Sequence, residues 1–143
     1  MSDLPTEDMT PVLGPRGGTI LLVEDDLDTR RTLDQLLTDV GFDVKCAANG
    51  AEALELLGAS GVKPSLIMLD IWMPEMSGLE FRARQLGIPG VRDIPVIVMT
   101  AGGYSTDEVG QLNFRRVLRK PLDEMTVLEA IREYIPGAAT LSH

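Results

Sequence analysis

Five short apolar runs, separated by segments of helical spacing, constrain this chain more than any other feature. They are TILLV (19–23), DVKCA (43–47), SLIML (65–69), PVIVM (95–99) and the weaker RVLR (116–119). Four are continuous or nearly so, the pattern of strands covered on both faces of a parallel sheet. Between the runs, apolar residues recur at intervals of three and four, as one face of a helix requires. TRRTLDQLLTDVG places Leu33, Leu36, Leu37 and Val40 on one stripe and stops at Gly41, and NGAEALELLG groups Ala53, Leu54 and Leu57. SGLEFRARQLG offers Leu79, Ala83 and Leu86, and DEMTVLEAIREYI offers Met125, Leu128, Ile131 and Ile135. In AGGYSTDEVGQLNF, Ser105 and Glu108 have capping-box spacing, but Gly102, Gly103 and Gly110 weaken a helix. A short or irregular fourth helix is expected there. Strands alternating with helices in this way imply an α/β, doubly wound, five-stranded parallel sheet with five helices. Right-handed crossovers lead to the strand order 2-1-3-4-5.

In an open sheet of this kind, ligands bind beyond the carboxyl ends of the strands, where strand order reverses. The first run leads into Glu24, Asp25 and Asp26, the third into Asp70, the fourth into Thr100, and the fifth into Lys120 and Pro121. The second ends blandly at Ala48. With the first and third strands as neighbours, Glu24 or Asp25 comes within a few ångströms of Asp70. Two carboxylates about 5 Å apart repel by roughly 3 kcal/mol at an effective dielectric of about 20. Such a pocket is stable at neutral pH only with a divalent cation or with shifted pKa values. All-oxygen ligands with room for water favour Mg²⁺ or Mn²⁺. A hard cation, a carboxylate nucleophile, a hydroxyl and an ammonium together make a phosphoryl site. Asp70 would become an aspartyl phosphate, with Thr100 and Lys120 on its oxygens.

Singly, these residues carry little. Asp26 or Asp28 suits a helix cap, Thr100 a turn hydroxyl and Lys120 a solvated charge; their convergence at matching strand ends outweighs those readings. Trp72 is expected at the pocket rim, Cys46 in the core, and Gly78 in a tight turn after Pro74.

At 143 residues the chain is expected to form one domain over 18–136. Residues 1–17, with Pro5, Pro11 and Pro15, read as a flexible N-terminal tail, and 137–143 as a C-terminal tail. Acids outnumber bases 22 to 13, for a net charge of −9, which argues against nucleic acid as a partner. The single Cys46 excludes an internal disulfide, and no Cys/His spacing suggests zinc. With no apolar run of membrane-spanning length and no signal sequence, a cytoplasmic protein without membrane association is expected.

The ordered series ILLVEDD, LIMLDIWMPEMSG, IPVIVMTA and VLRKP resembles the receiver domain of two-component response regulators over about Gly18 to Pro136. The resemblance implies a flavodoxin-like receiver fold with Asp70 as phosphoacceptor. It implies Asp25 as a direct Mg²⁺ ligand, Glu24 acting through water, and a metal contact from the Trp72 backbone carbonyl. Thr100 would be the switch hydroxyl, Lys120 the phosphate-contacting ammonium, and the Lys120–Pro121 bond cis. A stand-alone signalling module follows. It would take a phosphoryl group from a phosphohistidine on a sensor histidine kinase or histidine phosphotransfer protein, and its phosphorylated state would alter binding to a downstream protein. No enzymatic activity is expected beyond self-phosphorylation from small donors and self-dephosphorylation.

Two departures from the family fall on the face receivers usually use for output. Val117 stands where a Tyr or Phe is common, three residues before Lys120, and the stretch from Thr100 to Lys120 is a couple of residues short. They keep open an alternative, a phosphorylation-independent interaction module. A Mg²⁺-dependent phosphohydrolase is disfavoured, because such enzymes usually place a second Asp two residues after the nucleophile. That position is Trp72, which cannot transfer protons.

Overall fold

The structure, a computed structural model, describes residues 18–58, 61–73, 76–101 and 114–135. In chain order the elements are β1 (Thr19–Val23), α1 (Leu27–Asp39), β2 (Asp43–Ala47), α2 (Gly50–Gly58), β3 (Leu66–Asp70), α3 (Gly78–Leu86), β4 (Val96–Thr100), β5 (Arg116–Arg119) and α4 (Glu124–Tyr134). The strands form one parallel sheet in the order β2-β1-β3-β4-β5. This is the expected doubly wound architecture. The expected irregular fourth helix and both tails lie outside the described residues.

Alternation along each strand sends successive side chains to opposite faces. Ile20, Leu22, Met68, Ile97, Met99 and Leu118 meet Leu33 and Leu37 of α1 and Val127 and Ile131 of α4. Leu21, Val23, Ile67, Leu69, Val96 and Val98 meet Ala53 and Leu57 of α2 and Phe81 of α3. Every residue of β3 and of β4 is buried, so the chain leaving those strands emerges from the middle of the molecule. No described helix is long and apolar enough to cross a membrane.

Caps account for the helix limits. Asp26 accepts from the Thr29 N–H at 3.0 Å and from its hydroxyl at 2.6 Å, starting α1 at Leu27. Gly41, at φ 108°, reverses the chain into β2, a conformation that side-chain-bearing residues avoid. Ser77 and Glu80 form a reciprocal capping box on α3.

Three expectations need correction. The buried face of α3 is Phe81, Arg82 and Gln85, while Ala83 and Leu86 are exposed and Leu79 is only partly buried. Arg82 and Gln85 can be buried because they are hydrogen-bonded: Arg82 Nη1 donates to Gln85 Oε1 at 2.7 Å. Gln85 Nε2 donates to the carbonyls of Val91 at 2.8 Å and Ile94 at 3.1 Å. On α4, Met125 is exposed, and Val127, Ala130 and Ile131 take the inner positions. Ile131 and Ile135 of the expected stripe are buried as well, and Leu128 packs partly buried against the same core, so Met125 alone departs outward. Gly78 is the first residue of α3 rather than part of a turn. A Cβ there would lie 2.4 Å from the Asp70 carbonyl oxygen, and its N–H donates to the Ile71 carbonyl at 2.7 Å. Space beside the end of β3, not backbone freedom, requires the glycine.

Candidate functional site

Parallel register brings the strand ends together. Val23 pairs with Leu69 and Asp70 with Met99, so Glu24, Asp70 and Thr100 leave the sheet side by side. Glu24 stays in line with β1, its N–H donating to the Ala47 carbonyl at 3.0 Å. Lys120 follows β5, its N–H donating to the Thr100 carbonyl at 2.8 Å, and the Lys120–Pro121 peptide is cis. Glu24, Asp70 and Thr100 are buried, Lys120 is partly buried and Asp25 is exposed.

One carboxylate oxygen each from Glu24, Asp25 and Asp70 lies within 4.8 Å of the others. The Lys120 ammonium sits 2.7 Å from Glu24 Oε1 and 3.5 Å from Asp70 Oδ2. Oε1 is otherwise without a hydrogen-bond partner among the described residues, whereas Oε2 accepts from the Asp26 N–H at 3.1 Å. Asp70 Oδ1 accepts from the Trp72 N–H at 3.2 Å, and the Trp72 ring stands about half exposed at the rim.

Three acids against one ammonium leave the pocket over-charged. Burial first, then the charge of and hydrogen bonding with Glu24, push the Asp70 carboxyl up to about 7, and Lys120 only partly opposes them. Burial works against the Lys120 ammonium, but Glu24 and Asp70 together hold its pKa above the ordinary lysine value. Asp26 shows the opposite effect at an open position, where bonds from Thr29 hold its carboxyl below the usual range.

The donor set fits a hard divalent cation. It is all oxygen, it includes the buried Glu24 Oε1, met among the described residues only by the Lys120 ammonium, and exposed Asp25 leaves a way in from solvent. Beside it, a groove of about 290 Å³ between α1 and α4, lined by Leu33, Leu36, Leu122 and Val127, reaches Lys120.

One neighbour of the acids was not evident from the strand-end residues. Arg30 Nη1 donates to the Glu24 carbonyl at 2.9 Å and lies 3.5 Å from the Asp25 carbonyl. Its signal is positional: a long side chain in the second turn of a helix leans toward that helix's N-terminus, here the acidic loop. Val117 is partly buried, packs against the cluster that contains Val96 and Val98, and pairs with Val98 in the sheet.

The response regulator receiver domain family matches residues 20–132. The polar-differentiation response regulator DivK of Brucella anthropi is 32% identical over 122 residues, covering 84% of this chain and 98% of that protein. A transcriptional regulatory protein CpxR homolog of Haemophilus influenzae is 34% identical over 126 residues, covering 87% of this chain. The chain spans only about half, 53%, of that relative's length. Among solved structures, the receiver domain of a Pseudomonas aeruginosa sensor histidine kinase, with a magnesium ion coordinated in its active-site cleft, superposes with a TM-score of 0.74. It is 23% identical and covers 86% of this chain and 98% of its own.

Proposed function

Since the chain belongs to the response regulator receiver domain family, we propose that Asp70 is its phosphoacceptor and that Glu24, Asp25 and Asp70 hold Mg²⁺. Receiver domains are phosphoacceptor signalling modules of two-component systems, and this one takes its phosphoryl group from a phosphohistidine on a sensor histidine kinase or histidine phosphotransfer protein. The observation that carries the reading is the convergence of three carboxylate oxygens within 4.8 Å, with Lys120 against both buried acids. The magnesium in the Pseudomonas receiver's cleft supports the same cation here, with Mn²⁺ as a substitute of similar chemistry.

In the reaction, an ionised oxygen of Asp70 attacks phosphorus, an O–P bond forms, and the P–N bond to the donor imidazole breaks. When bound, the cation offsets negative charge between the carboxylates and the incoming phosphoryl oxygens. Lys120, 3.5 Å from Asp70 Oδ2, is placed to follow the transferred group as an ammonium partner. Thr100, buried at the end of β4, would serve as the switch hydroxyl, and the Trp72 backbone carbonyl would join the carboxylates in holding the metal. The groove beside Lys120 supplies apolar surface for the donor protein. Small phosphodonors serve Asp70 as well, and hydrolysis at the same site returns the free carboxylate. The protein works in the cytoplasm and passes its state to a downstream protein.

Partly buried Val117 favours one alternative, an interaction module whose docking is indifferent to phosphorylation. Partner capture decides between the two: the alternative requires equal binding by wild type and Asp70→Asn. The primary test is acetyl phosphate with Mg²⁺, read by intact mass. Wild type gains one phosphoryl group, while Asp70→Asn and wild type in EDTA gain none; labelling that survives Asp70→Asn removes the proposal.

A further inference from the structure

Glu24 and Asp25 lie between β1 and α1, and both carboxylates must reach the point where Asp70 ends its strand. Local ties hold the rest of this loop: the Asp26 N–H bonds Glu24 Oε2 at 3.1 Å, and Asp26 in turn caps α1 through Thr29. The peptide carbonyls of Glu24 and Asp25 are reached from farther along the chain, by Nη1 of Arg30 at 2.9 and 3.5 Å. Resting on the metal site proposed above, we propose that Arg30 is a positioning residue for cation binding. Its guanidinium sets the peptide planes of Glu24 and Asp25 so that their carboxylates converge with that of Asp70.

Arg30 touches carbonyls and none of the three converging carboxylate oxygens in these bonds, so it acts through the loop. The planar guanidinium presents its N–H groups at fixed angles, whereas a lysine ammonium is a compact, strongly hydrated charge on a flexible stem. Position and charge also make opposite demands. A cation beside a cation site weakens binding by repulsion, so as a mere charge Arg30 would oppose Mg²⁺; as a positioning group it assists. The two roles are therefore separable by variants that remove one and keep the other.

The test is Mg²⁺ titration by calorimetry on the full chain, with wild type, Arg30→Lys and Arg30→Met compared after circular dichroism establishes that each is folded. Both variants are expected to bind Mg²⁺ more weakly on the order of tenfold, the scale of lost outer contacts at metal sites. Tighter binding by Arg30→Met with wild-type binding by Arg30→Lys would show a charge effect only and overturn the inference. Unchanged binding in both, with a lowered melting temperature, would show a purely structural role and overturn it equally. Should Arg30→Met not fold, Arg30→Lys carries the comparison alone, and wild-type affinity there is the contrary result. Absence of Mg²⁺ uptake by wild type would instead defeat the metal site itself, and this inference with it.

Discussion

Asp70 is the residue at which burial and the proposed function conflict. Its carboxyl titrates near 7 in the fold against 3.8 as an unperturbed side chain. Between those values the native state holds more protons than the unfolded chain, so stability must fall as pH rises. The stabilising share of the neutral acid is fully present below about pH 4 and is lost as pH passes through about 7. Metal-free protein should therefore melt at progressively lower temperature from pH 5 to about pH 8 in EDTA. Asp70→Asn should flatten that part of the profile and melt higher than wild type at the alkaline end; a wild-type profile that rises with pH there would contradict the assignment. Gly78 carries a second prediction at this scale. With its Cβ position 2.4 Å from the Asp70 carbonyl oxygen, Gly78→Ala should destabilise by about 2 kcal/mol or more in urea unfolding. A change within experimental error would mean that α3 moves freely away from β3.

Among the elements, the strands and the ends of α1 were legible; the buried face of α3 was not, and that of α4 was only in part. Apolar runs report strands covered on both sides, and Asp26 and Gly41 mark the ends of α1 through chemistry local to them. Period-counting failed on α3 because burial of Arg82 and Gln85 depends on partners outside the helix. Gln85 reaches forward to the carbonyls of Val91 and Ile94, and the Arg82 guanidinium lies 5.7 Å from the centre of the Phe114 ring. No spacing rule within the helix encodes those contacts. Gln85→Leu keeps volume yet removes the amide that bonds the Val91 and Ile94 carbonyls and the Arg82 guanidinium. It should cost about 3 kcal/mol, seen as a lower urea midpoint. A neutral substitution would show that the α3–β4 connection is not held by this amide.

For the whole molecule, the convergence of the strand-end residues was readable because a parallel sheet converts strand order into proximity. Residues 24, 70, 100 and 120 are far apart in sequence, yet each ends or follows a strand whose neighbours are set by the 2-1-3-4-5 order. What remained hidden was everything that depends on side chains crossing between elements: Arg30 over the acidic loop, and the Lys120 ammonium closer to Glu24 than to Asp70. The exposed ring of Trp72, a residue whose backbone N–H donates to Asp70 Oδ1, reports on this assembly as a unit. Mg²⁺, and then beryllofluoride as a phosphoryl mimic, should each change its fluorescence; silence on both additions in folded protein would contradict an occupied site at Asp70. Phosphoryl transfer to Asp70 is the central claim, and trapping the product tests it most directly. After reaction with acetyl phosphate and Mg²⁺, borohydride reduces an aspartyl phosphate to homoserine, and peptide mass spectrometry locates it. Homoserine at position 70 is the expected result. Homoserine elsewhere, with Asp70 recovered unchanged, would contradict the account.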